Sequence, residues 1–165
     1  MAITFDEFVN QLDNQSNTEV QIDWQAKKNQ WLEYLGHLYG DIQSYLEPYK
    51  DKIILNEQEV LINEEYIGEY SAKKLFIQLG KDTITLTPKG ANLIGASGRV
   101  DMNSSHGTIK LVLIEQDEKR LDIAKNTKKE PNALVWAIAQ QQPRLAFFEL
   151  NQESFQDALM ELVNA

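Results

Sequence analysis

Leu75-Phe76-Ile77-Gln78-Leu79-Gly80-Lys81-Asp82-Thr83-Ile84-Thr85-Leu86-Thr87 carries the reading of the fold. Aliphatic side chains recur at every second position on both sides of Gly80-Lys81-Asp82, as expected for two strands joined by a tight connection. From Ile84 to Thr87 the threonines oppose the aliphatics, so this sheet has one wet face.

Outward from that hairpin the alternation persists. Ile53–Leu55, Val60–Ile62, Tyr66–Tyr70, Arg99–Met102, Thr108–Ile114, Leu134–Ala139 and Leu145–Leu150 all read as strands, with a second tight connection at Ser104 to Gly107. Leu111 to Ile114 is apolar on both faces and belongs in the middle of the sheet. Connections this short leave no room for crossover helices, so the sheet is expected to be mainly antiparallel.

Helical spacing dominates the two ends. Ile3, Phe5, Phe8, Val9 and Leu12 predict a short first helix capped by Thr4. Trp31, Leu35, Leu38, Ile42, Tyr45 and Tyr49 form one stripe on a long helix between about Glu19 and Glu47, which Pro48 ends and Gly40 could divide. At the other end Asn151 caps a helix with Phe155, Ala158, Leu159 and Leu162 on its apolar side. The expected architecture is a single α+β domain over 1–165: helical over 1–49, mainly strands over 53–150, and a helix over 152–163 packed on the sheet. Leu121 to Lys129 fits a strand, a helical turn or a loop equally well.

A chain of 165 residues can hold one ordinary core, and its 15 aromatics argue against wholesale disorder. The longest apolar runs fall far short of the roughly 20 residues a membrane helix needs. Met1 to Asp13 contains Asp6, Glu7 and Asp13 and lacks a signal-peptide pattern, so a cytoplasmic, non-membrane protein is expected. There is no Cys, which excludes disulfides and Cys-ligated zinc.

Charge is unevenly spread within the net −9. Residues 1–70 hold 14 acids against 4 bases, whereas residues 71–148 hold 7 acids against 12 bases. From Ile53 to Ala72 five glutamates meet no Lys or Arg. Such a block repels nucleic acid and attracts a basic partner. The basic cluster Lys119, Arg120, Lys125, Lys128 and Lys129 lacks the interleaved aromatics of a nucleic-acid platform and reads as a solvated loop.

Catalytic signals are weak. His37 and His106 are the only histidines and have no metal-ligand spacing, so neither metal nor cofactor is expected. Ser97 lacks the G-x-S-x-G spacing of a nucleophile elbow. The glycine-rich segment from Pro88 to Asp101 is the best place for a small-ligand site, with Arg99 as anion anchor and Asp101 or His106 as base. Its competing reading is a bulged connection in which Arg99 and Asp101, two apart on a strand, point the same way and pair.

The leading expectation is therefore a non-catalytic acidic module that binds a basic protein, in concrete form an immunity-type inhibitor or a chaperone. Its contact residues would be Glu57, Glu59, Glu64, Glu65, Tyr66, Glu69 and Tyr70, with Glu65 and Glu69 sharing a strand face with Ile67. The alternative is a small-ligand binder or enzyme using Arg99, Asp101 and His106. A third reading makes the Trp24–Tyr49 stripe a surface for self-assembly.

Overall fold

A computed structural model describes residues 4–7, 23–93, 96–115, 133–140 and 146–164. Helix α1 (Trp24–Leu46) and a 3-10 turn (Glu47–Tyr49) precede seven strands. These are β1 (Ile53–Glu64), β2 (Gly68–Leu79), β3 (Asp82–Gly90), β4 (Gly98–Ser104), β5 (Gly107–Glu115), β6 (Leu134–Gln140) and β7 (Ala146–Glu149), followed by helix α2 (Gln152–Asn164). The strands lie in sequence order in one sheet, and every neighbouring pair is antiparallel. The α+β architecture read from the sequence is the one observed.

Local chemistry sets the helix ends. Thr4 and Glu7 bond each other's backbone N–H reciprocally, and residues 5–7 are helical; the rest of the expected first helix lies outside the described residues. The Asp23 carboxylate accepts the Ala26 N–H at 2.9 Å and starts α1, which then runs unbroken through Gly40. Pro48 ends α1 by entering the 3-10 turn. Asn151 and Ser154 cap each other at the start of α2. Leu121 to Lys129 and the basic cluster around it lie outside the described residues.

Both helices cover one face of the sheet. Trp31, Leu35, Leu38, Ile42 and Leu46 of α1 join Phe155, Leu159 and Leu162 of α2 over Ile77, Ile84, Leu86, Val100, Met102, Leu111 and Leu113. The Trp24–Tyr49 stripe is thus largely a core seam rather than a surface for self-assembly. The Trp136 indole N–H donates to the Tyr34 carbonyl at 3.0 Å, and the Ser104 hydroxyl to the Leu162 carbonyl at 2.7 Å, fixing α1 and α2 over the strands. Leu111 to Ile114 is buried on both faces, because Val112 and Ile114 form a smaller cluster with Ala137 on the far side.

One hairpin departs from the regular sheet. The β1–β2 register is continuous from Ile53 opposite Leu79 to Glu64 opposite Gly68, but β2 pairs with β3 only over Leu75–Leu79. Where β3 is present, the odd-numbered Leu75 and Ile77 are buried; beyond it, the even-numbered Ala72 and Tyr70 are. A two-stranded ribbon twists more than a full sheet does. Freed from β3, the distal hairpin rolls its other face onto α1. Between the two regimes Asn56, Glu57, Gln58 and Glu59 are all exposed.

Candidate functional site

The hairpin carries most of the acidic block. Glu57 and Glu59 project from β1 on the same side, and Glu69 lies on β2 opposite Asn63. Glu65 stands in the turn joining the strands, together with Tyr66 and Ile67. The expected shared strand face of Glu65, Ile67 and Glu69 is therefore replaced by a turn, which Tyr66 enables by adopting φ 70°. A tyrosine in this left-handed region is uncommon. Its ring stacks on Trp24 at 5.3 Å between centroids, with 18° between planes, and this contact holds the turn against the start of α1.

Glu57, Glu59, Glu65 and Glu69 are exposed, as is Tyr66. Leu61 and Ile54 are exposed on the same strand, Leu61 to 69% and Ile54 to 52%. Within the hairpin the one ion pair among the described residues joins Glu59 to Lys73 at 3.7 Å, both largely in solvent. Such a pair contributes little and is readily exchanged.

Glu64 and Tyr70 face the other way, so the expected seven-residue patch is not continuous. The Glu64 Oε1 atom accepts the backbone N–H groups of Ala91 at 2.8 Å and Asn92 at 2.7 Å, while Oε2 accepts the Tyr70 phenol. The Tyr70 hydroxyl in turn accepts the Trp31 indole N–H at 3.0 Å. Tyr70 is only 8% exposed. The even-numbered face of the distal hairpin turns inward, and both residues lie on it. They form a latch joining hairpin, helix and the β3–β4 connection.

That latch also explains the glycine-rich segment. Gly90 has φ 134°, and a Cβ there would collide with the Glu64 carboxylate. A Cβ on Gly98 would collide with the six-membered ring of Trp31. These glycines make room for the chain's own side chains, and the two successive amides of Ala91 and Asn92 already hold the Glu64 carboxylate. The β3–β4 ladder shifts register between Pro88 and Gly90, and Arg99 forks onto Asp101 at 2.7 and 2.9 Å. This is the bulged, paired geometry of the competing reading. His106 sits in the exposed β4–β5 turn, past the end of β4 at Ser104, which is itself roughly 17 Å along the strand from Arg99. The structure does not bring Arg99 and His106 together.

A feature missed in the sequence lies between α1 and the β6–β7 end. A cavity of 250 Å³ is lined by His37, Asp41 and Tyr45 on successive turns of α1, with Glu149 and Trp136 opposite. Burial raises the Tyr45 phenol above its ordinary value, reinforced by the charges of Asp41 and Glu149. The four-residue spacing of His37, Asp41 and Tyr45 is readable on a helix; the approach of Glu149 needs the fold. Among the described residues no group of three or more His, Asp or Glu is placed to hold a metal ion, and no helix is long and apolar enough to cross a membrane.

No family model, curated protein or solved structure matches the chain.

Proposed function

We propose that this chain is a non-catalytic binding module whose β1–β2 hairpin captures a basic protein partner, as an immunity-type inhibitor or a chaperone would. The observation that carries this reading is the exposure of Glu57, Glu59, Glu65 and Glu69 on one hairpin, with no Lys or Arg between Ile53 and Ala72. Clustered carboxylates steer a cationic surface and accelerate its encounter, an effect that salt suppresses. Tyr66 and Leu61 add apolar area beside the charges. Glu64 and Tyr70 contribute indirectly, by fixing the hairpin against α1.

The test uses the full chain and a quadruple variant with Glu57, Glu59, Glu65 and Glu69 each replaced by Lys, presented as paired baits to an extract of the native host at low and high salt. A basic protein retained by the wild type at low salt and by neither bait at high salt, and lost from the variant, supports the reading. Capture that survives both charge reversal and salt overturns it.

A further inference from the structure

We infer that β1 receives an extended basic segment of the partner as an eighth strand, added along its outer edge. This rests on the reading of the hairpin as an acidic binding surface, and it specifies how that surface works.

Strand β1 is 12 residues long and stands at the end of the sheet. Among the described residues its only ladder is with β2. Alternate backbone N–H and C=O groups along the other edge therefore have no strand partner among the described residues. Strands at a sheet edge are normally blunted by charged side chains, Pro or a bulge. β1 contains no Pro and its register with β2 is unbroken from end to end, so its protection against pairing rests on its glutamates, which a cationic strand would neutralise. Its middle, Asn56 to Glu59, is exposed on both faces. An incoming strand can approach there without displacing a covering layer of described residues.

Charge selects the occupant. A second copy docking antiparallel about the middle of β1 would bring Glu57 and Glu59 against the same two residues, and like charges directly opposite are destabilising. A cationic strand meets the opposite situation. Glu57, Glu59 and Leu61 alternate along one side of β1, so the matching segment presents Lys or Arg at two successive same-side positions and an apolar residue at the third. Main-chain bonds then supply affinity and this alternation supplies specificity.

The experiment uses a blocked, fluorescently labelled peptide, Lys-Thr-Lys-Thr-Val-Thr-Lys-Thr, titrated into the full chain at low salt and followed by anisotropy. Two further peptides carry backbone N-methyl groups on alternate residues, one for each edge of the peptide strand. The expected result is binding by the parent, on the order of tenfold weaker binding by one methylated peptide, and little change for the other. Slowed amide exchange in β1 should accompany binding. If both methylated peptides bind like the parent while Glu57→Lys/Glu59→Lys abolishes binding, the added strand is overturned and the acidic surface survives. Binding indifferent to that double variant overturns the acidic surface itself. Failure of the parent peptide to bind, or concentration-dependent dimers in sedimentation that Gln58→Pro abolishes, overturns the assigned occupant.

Discussion

Glu64 accepts the phenol of Tyr70 although the two are not ladder partners: Glu64 lies opposite Gly68 and Tyr70 opposite Ile62. They meet because both lie on the inward-turned face of the distal hairpin. The same carboxylate also takes the amides of Ala91 and Asn92. Glu64→Ala strands all three donors, and each buried donor left without an acceptor costs about 1–3 kcal/mol. The urea midpoint should fall steeply. Glu64→Gln keeps an acceptor and should lose less, whereas Glu57→Gln and Glu59→Gln, exposed, should stay within about 0.5 kcal/mol of wild type. Equal losses at Glu64 and Glu57 would dissolve the distinction between latch and surface.

Gly98→Ala should be among the most damaging small substitutions in the protein. The added methyl group has to enter the space of the Trp31 ring, which is fully buried and tethered through its N–H to Tyr70. Overpacking of this kind costs about 1–3 kcal/mol, and here the ring cannot withdraw without breaking the tether. Trp31→Leu should rescue part of the loss, so the double variant is more stable than the two single losses predict. Additive losses in thermal unfolding would argue that the clash relaxes elsewhere.

Alkaline pH should unfold the protein through two phenols. Tyr39 and Tyr70 are pushed well above the ordinary 10.0, both chiefly by burial, with Glu57 adding to the shift at Tyr39 and the Glu64 bond at Tyr70. Below about pH 10 the phenols are neutral in folded and unfolded chains alike, so their stabilising contribution is fully present. Above it the unfolded chain releases protons that the folded chain retains, and stability declines as pH rises. The urea midpoint should therefore drop from about pH 10 upward, and Tyr39→Phe should flatten the drop. Phenolate absorbance from all six tyrosines before unfolding would contradict this.

The alternation on both sides of Gly80-Lys81-Asp82, and the apolar run Leu111–Ile114, sufficed to place the antiparallel sheet and its middle. Both depend on local period, which sequence displays directly. The merging of Ile53–Leu55 with Val60–Ile62 into one strand was not legible, because the polar Asn56–Glu59 between them resembles a turn. Its exposure on both faces follows from where β3 stops pairing. Nor did the glutamate block reveal that Glu64 belongs inside. A one-residue change of phase decides that, and the amides that neutralise it lie 27 and 28 residues away. The pairing of Arg99 with Asp101 was readable because two residues on one strand share a face.

That pair yields the last expectation. Asp101 is buried, and the Arg99 fork is its bidentate partner, with Lys110 its neighbour across the β4–β5 ladder. The bond to Asp101 also holds the guanidinium proton more firmly than usual. Arg99→Ala should leave the carboxylate poorly matched and lower stability, and Asp101→Ala should strand the guanidinium in turn. Because each single change already breaks the contact, the double variant should lose less than the sum of the two, with a coupling of about 1–2 kcal/mol in urea unfolding. An anion anchor behaves differently. Millimolar phosphate would raise the melting temperature of the wild type but not of Arg99→Ala, whereas an arginine already engaged by Asp101 predicts no rise for either.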